Sequence, residues 1–468
     1  MGATTIFERM AERSATYPLI VLTTLFFMWG FMTVMNDVLI PHWKEDFQLN
    51  YSQSLLVQFC FFGAYFIGSL IYFILSATSG DPIQRIGYKR GSIIGLLISA
   101  AACGLFVPAS YAHSYPGFLI ALFVLGLGFT MLQIAANPFV AIIGSPEGAS
   151  SRLNLAQAFN SLGTTLAPLI GGWLIFEHFK GEAAIRAPYA IYAAVFLLLA
   201  ALVHLAPLPE PPRSLEARAN AFRHPQLRWG MVAIFCYVGA EVAIGSLIIN
   251  YLGSSHVLDM PENSAKHYLS LYWGGAMTGR FLGAIALSRG LAGWRRDLLM
   301  LAFGAAMFFL LFFINSGPGF HLHHAWPMAV LILGNLVAFL VIGPNASRAL
   351  GLFALAAAAL LMVSINTGGA WALWAIIGIG LFNSIMWSNI FTLAIDGLKE
   401  DTSQGSSLLV MMIVGGALLP KLQAMIADAR ATPTDLDAGL PHSFLLPMCC
   451  YVFLAWYGFK GSKHSMSA

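Results

Sequence analysis

The chain has 468 residues, 58% of them hydrophobic and only 10% charged, against about 25% charged in soluble domains. That balance excludes a soluble globular enzyme and indicates an all-α polytopic membrane protein. The formal net charge of +3 is too small and too dispersed for a nucleic-acid binder. The five cysteines, Cys60, Cys103, Cys236, Cys449 and Cys450, fall mostly in apolar runs without metal-ligand spacing, so they read as small core residues and no metal or cofactor is expected.

The opening MGATTIFERMAERSA is short and polar and leads directly into a full-length apolar run, so it does not read as a cleaved signal peptide. That run, PLIVLTTLFFMWGFMTVMNDVLIPHW, holds one acid, Asp37, beside Asn36. An ionised carboxylate inside a membrane helix costs roughly 2.5 to 3.5 kcal/mol on insertion scales, so it normally faces a bundle interior or an aqueous cavity. Helical spacing puts Trp29, Thr33 and Asp37 on one face with Asn36 beside them. The alternative is an acid near the outer membrane boundary, neutralised by water.

Apolar runs then follow at approximately 17–42, 53–79, 91–111, 116–144, 154–177, 187–207, 229–254, 265–288, 297–315, 325–343, 347–364, 370–396, 404–427 and 443–459. Each approaches or exceeds the ~20 residues that cross a bilayer. Fourteen spans are expected, with twelve as the alternative. With the N-terminus inside, lysine and arginine divide 17 to 6 in favour of the inside segments, which predicts both termini in the cytoplasm and an even number of spans.

After the second run comes GDPIQRIGYKRG, whose Arg85, Lys89 and Arg90 form a basic cytoplasmic gating loop. It resembles the major facilitator superfamily loop signature, with Gln84 where that signature has aspartate. The segment PLPEPPRSLEARANAFRHPQLRW is proline-rich and then charged and reads as a linker over 208–228. It separates an N-terminal six-helix bundle, 1–207, from a C-terminal bundle, 229–468. In transporters built of two bundles the substrate sits near the midplane between the halves.

Polar residues recur at helical spacing inside the runs: Thr130, Gln133 and Asn137; Asn154, Gln157, Ser161 and Thr164, with Asn160 adjacent; Tyr237 and Glu241; and Asn383, Trp387 and Asn389, with Ser384, Ser388 and Thr392 on another line. Taken singly, each amide serves as readily to join helices as to bind a ligand. Together, amides, hydroxyls and aromatic faces suit an uncharged sugar, whose hydroxyls need hydrogen bonds and whose C–H faces stack on rings. An anion or nucleotide calls for basic residues at depth, and Arg280 is the only arginine well inside a span. A drug pump calls for a wide apolar cavity.

Five blocks in order, FFMWGFMTVMNDVLIPHW, LQIAANPFVAIIG, SRLNLAQAFNSLGTTLAP, FCYVGAEVAIGS and GLFNSIMWSNIFTLAIDGL, resemble the fucose permease and glucose/galactose transporter family of the major facilitator superfamily, the glucose/galactose branch most closely. The resemblance implies the major facilitator fold and active uptake of a monosaccharide, driven by H+ or Na+, across a bacterial inner membrane. The family's acid on span 1 matches Asp37. Fucose permeases carry glutamate where this chain has Gln133, and the glucose/galactose branch makes Glu241 the second intramembrane acid. Against the family's twelve spans, those near 297–315 and 325–343 read as a hairpin inserted over about 292–345. Its loop GPGFHLHHAWP holds His321, His323 and His324, which leave a metal site as an alternative; the expectation is that the hairpin packs outside the bundle, with no direct role in the cavity.

The expected function is therefore import of glucose or galactose by cation symport through alternating access. A symporter for fucose, mannose, fructose or N-acetylglucosamine, or a passive facilitator, are the alternatives. The chain has no ATP-binding Gly-rich Lys-Ser/Thr loop and no large soluble domain, so it does not read as an enzyme. Asp37 and Glu241 are expected to couple the cation. Trp29, Asn36, Gln133, Asn137, Gln157 and Asn160 are expected to contact sugar from one side, and Tyr237, Asn383, Trp387 and Asn389 from the other. The partners expected are the sugar and membrane lipid, with the protein a monomer that binds no nucleic acid.

Overall fold

The computed structural model describes residues 3–48, 56–181, 183–210, 220–288, 290–291, 293–316, 320–429 and 438–463. Among them, the side chains at 3–15, 37–38, 40–42, 44–45, 58, 169, 172, 176–177 and 262–263 lie outside the description. Every element among the described residues is helical, as expected where only internal hydrogen bonding can satisfy the backbone in lipid.

In chain order the helices are α1 (Ala3–Asp46), α2 (Leu56–Ser79), α3 (Pro82–Ile86), α4 (Tyr88–Tyr111), α5 (Tyr115–Ile142), α6 (Ala149–Gly172), α7 (Ala183–Leu205), α8 (Pro225–Gly253), α9 (Glu262–Ala286), α10 (Trp294–Asn315), α11 (Leu322–Ile342), α12 (Ala346–Asn366), α13 (Gly369–Asn383), α14 (Met386–Ile395), α15 (Thr402–Met411), α16 (Gly415–Asp428) and α17 (Leu445–Trp456). Among the described residues, twelve stretches are long and apolar enough to cross a membrane, α13 with α14 counting as one of 27 residues. The other two of the fourteen expected runs are α6 and α9, helices of 24 and 25 residues. They carry Arg152, Asn154, Gln157 and Asn160, and Lys266 and Arg280, respectively, and that polar content keeps them below the same apolar mark. Large apolar side chains stand exposed all around the helices, among them Phe59, Leu198, Phe313, Trp326 and Val341, the surface that hydrocarbon covers.

The chain divides into two compact units that depart from chain order in two places. Unit 1 comprises Met1–Ala149, Ala156–Arg223 and Ile395–Met411; unit 2 comprises Ser150–Leu155, His224–Ala394 and Met412–Ala468. In unit 1, α4 packs on α5 and α7, and α2 packs on α5. Unit 2 repeats this pairing, with α12 on α13 and α17, and α9 on α13. The repeat leaves α10 and α11 without a counterpart. They pair with each other as a hairpin and lie on α9 and α13. It does more than pack, however, because the buried Asn335 amide on α11 donates to the Leu381 carbonyl on α13 at 3.3 Å.

Two glycines set how closely α1 and α6 approach. A Cβ at Gly30 would lie 2.1 Å from the Asn160 carbonyl oxygen, and one at Gly163 would lie 2.1 Å from that of Phe27. Both obstacles are backbone, so only glycine allows the contact.

Candidate functional site: two polar clusters among the helices

At the loop between α2 and α4, unit 1 is tied by Asp81. It caps α3, accepting from the backbone N–H of Ile83 at 2.9 Å and of Gln84 at 3.3 Å. It also accepts from the hydroxyls of Tyr72 at 2.6 Å and of Ser403, on α15, at 2.7 Å. Burial lifts its carboxyl above the ordinary carboxylate range, although these hydrogen bonds pull the other way. The basic residues of the loop act on helix ends: Arg85 donates to the Ser79 carbonyl, and the Lys89 ammonium donates to the Ala206 carbonyl at 2.8 Å. Arg90 is exposed. The start of the linker is held as well, since Glu210 accepts from the Lys89 backbone N–H at 2.8 Å. Its far end is held by Asp401, which accepts from the Asn220 N–H at 2.9 Å and pairs with Arg223 at 3.1 Å.

Deeper in unit 1, the Trp29 indole donates to the Tyr65 hydroxyl at 3.1 Å, and the same hydroxyl meets the side chains of Gln133 and Thr33. Tyr65 thus joins α1, α2 and α5. One helical turn beyond Thr33 and Gln133 stand Asn36 and Asn137, both fully buried. Neither side-chain atom of either amide has a hydrogen-bond partner among the described residues, and the same is true of Gln133 Oε1 and Gln157 Nε2. Asn160 differs, because its amide donates to the Phe26 carbonyl at 3.0 Å and so joins α6 to α1. The side chain of Asp37, expected on the Trp29 face, lies outside the described residues.

Unit 2 holds a network of the opposite kind, in which most groups are engaged. The Tyr237 hydroxyl donates to Glu241 at 2.7 Å, and Arg280, from α9, pairs with the same carboxylate oxygen at 3.4 Å. The side chains of Arg280 and Glu241 are 13% and 11% exposed. Tyr272 donates to the Glu241 backbone carbonyl at 3.2 Å and accepts from Asn383 at 2.8 Å, while Tyr451 donates to Asn383 at 2.6 Å. Asn389 accepts from Asn154 at 3.3 Å and donates to the Ala346 carbonyl at 3.2 Å. Trp387 stacks on Phe391 and leaves its indole N–H without a partner among the described residues.

The expected residues therefore fall into two groups. Tyr237, Glu241 and Asn383 share one network, and their hydrogen bonds go to protein. In unit 1 the structure joins Trp29, Thr33 and Gln133, and leaves Asn36, Asn137 and Gln157 with atoms to offer. Sequence reading missed Tyr65, Tyr272, Tyr451 and Asp81. It set Arg280 aside, although an arginine within a span is itself a signal.

A polytopic α-helical chain with polar clusters enclosed among its spans has the build of a solute transporter. The Major Facilitator Superfamily model matches residues 20–347, and the chain belongs to that superfamily. It is 41% identical to the glucose/galactose transporter of Brucella abortus biovar 1, over 97% of each chain. It is 28% identical to the L-fucose-proton symporter of Escherichia coli K12, over 95% of this chain and 92% of that one. Its fold matches the crystal structure of the Major Facilitator Superfamily transporter FucP in the outward conformation with a TM-score of 0.73. That match has 27% identity and covers 95% of this chain and 98% of the other. The family resemblance drawn from the five sequence blocks is borne out.

Proposed function

We propose that the protein imports a monosaccharide, glucose or galactose, by symport with a cation, exposing a binding site alternately to the two sides of a bacterial inner membrane. The observation that carries the reading is the set of buried amide atoms of unit 1 without hydrogen-bond partners among the described residues, both of Asn36 and of Asn137 with Gln133 Oε1 and Gln157 Nε2. A buried amide with nothing to bond costs about 1 to 3 kcal/mol, and a polyol supplies both donors and acceptors to it. The likeness to a glucose/galactose transporter supports the choice of sugar. Asp37 and Glu241 couple the cation, H+ or Na+, whose binding must favour one exposure over the other for transport to be driven. Glu241 does so only by exchanging its Arg280 and Tyr237 partners. The helices α6 and α9 complete fourteen spans, both termini lie in the cytoplasm, and a monomer suffices.

The test is uptake of labelled glucose into sealed proteoliposomes under an imposed sodium gradient and, separately, a proton gradient. Concentration above the outside level with one gradient names the coupling ion. Equilibration with both gradients overturns symport in favour of a facilitator. A second measurement separates ligand contact from helix-joining. Asn137→Leu removes no side-chain hydrogen bond made among the described residues, so it leaves thermal stability unchanged or raised while weakening glucose about tenfold. A loss of stability with unchanged affinity assigns Asn137 to packing and removes the support for the site.

A further inference from the structure

The inserted hairpin meets the bundle at a defect. α13 and α14 form one 27-residue span, but the helix lapses at Ser384 and Ile385. The dihedrals at Ser384 stay right-handed, with φ −48° and ψ −47°, while side chains take over the local carbonyls. Ser384 Oγ donates back to the Leu381 carbonyl at 2.6 Å, an arrangement that bends helices. The second donor to that oxygen is Asn335 Nδ2, at 3.3 Å, from the hairpin. The Ser384 carbonyl in turn accepts from Arg280 Nε at 3.3 Å, and Arg280 Nη2 reaches Glu241.

Asn335 is fully buried, and its Oδ1 has no partner among the described residues. A buried amide on a helix that otherwise presents Leu333, Val337 and Val341 outward is costly to keep unless its donor has work to do. A second feature points to the same defect. α9 carries Gly275, Gly279 and Gly283 at four-residue spacing. A Cβ at Gly279 would lie 2.2 Å from Ser384 Oγ and 2.7 Å from the Leu381 oxygen, so α9 is brought against the break next to Arg280.

We propose that the hairpin is a positioning device for cation coupling: through Asn335 it fixes the Leu381–Ile385 break, and through the Ser384 carbonyl it fixes Arg280 against Glu241. The inference rests on the assignment of coupling to Glu241 made above. Asn335 touches neither sugar nor ion. It sets the geometry in which the Glu241–Arg280 pair forms and opens.

The test compares Asn335→Leu with wild type in proteoliposomes, reading sugar exchange without a gradient, accumulation under the coupling gradient, and the pH dependence of accumulation. Asn335→Leu keeps exchange within about twofold, loses accumulation about tenfold, and shifts the pH profile. Asn335→Gln, which retains the donor, recovers accumulation, and Val337→Ala, on the outward face of the same helix, leaves both activities unchanged. Should Asn335→Leu fail to reach the membrane, Ser384→Ala removes the other donor to Leu381 and gives the same split. Exchange and accumulation falling in proportion, or neither falling, overturns the proposal. Failure of the wild type to accumulate any sugar overturns the symport reading instead, and is seen before any variant is made.

Discussion

Replacing Arg280 with methionine puts the Glu241 network to a quantitative test. At 3.4 Å and an effective dielectric of 20, two unit charges attract by about 5 kcal/mol, against a desolvation cost of several kcal/mol per ion. The intact pair therefore adds little net stability, but removing one member leaves the other buried and uncompensated, at about 3 to 5 kcal/mol. Arg280→Met strands a carboxylate that keeps the Tyr237 hydroxyl and also strips the Ser384 carbonyl of its donor. Glu241→Gln is milder, because an amide still accepts from Tyr237. The expected order of thermal stability, read as loss of the monodisperse peak on heating in detergent, is Arg280→Met lowest, Glu241→Gln intermediate, and the double variant well above Arg280→Met. A double variant at least as damaged as the sum of the singles would show that the two side chains are not directly coupled, and the network reasoning would fall with it.

Asp37→Asn abolishes accumulation of sugar against its gradient while leaving exchange partly intact; continued uphill accumulation by this variant sinks the assignment of Asp37 to coupling. Tyr65→Phe removes the acceptor of the Trp29 indole and lowers apparent sugar affinity about fivefold to tenfold in a binding titration, the worth of one hydrogen bond of about 1 to 1.5 kcal/mol. Asp81 adds a pH signature. Its carboxyl is raised in the folded state, so folding favours its protonated form, and its contribution becomes more favourable as pH falls through the raised value towards about 4, the unfolded value. The difference in stability between wild type and Asp81→Asn therefore shifts in favour of wild type on acidification across that window, and a difference that does not change with pH contradicts the burial argument. Gly163→Ala places a methyl against the Phe27 carbonyl and sharply lowers the yield of folded protein in a detergent-solubilised expression screen, whereas Gly104→Ala, at a position with open space, does not.

Much of this was legible from local pattern. The apolar runs and the polar stripes on α5 and α6 follow from helical spacing. The rest depends on partners far apart in the chain. Helical periodicity says which residues share a face, but not which face a neighbour presents, so Tyr65, Tyr272 and Tyr451 read as apolar bulk until the fold set their hydroxyls against Trp29, Asn383 and Glu241. Arg280 was visible as an arginine within a span, but its carboxylate lies on another helix 39 residues away in sequence. Asn160 shows the converse. Its place on a polar stripe suggested a ligand contact, and only the close approach of Gly30 reveals that its amide joins two helices.

The interleaved chain order of the two units bears on how this chain can be recombined. α15 belongs to the first unit although it is encoded late in the sequence, and Ser150–Leu155 belongs to the second although it is encoded early. Fusing the first 210 residues to the second half of a relative would therefore import a foreign α15 into the seat formed by α2 and α5, where Ser403 must meet Asp81 and Gln404 must meet Ser76. Chimaeras designed at the linker divide both compact units, while crossovers that carry 395–411 together with the N-terminal segment, and 150–155 together with the C-terminal one, keep each intact.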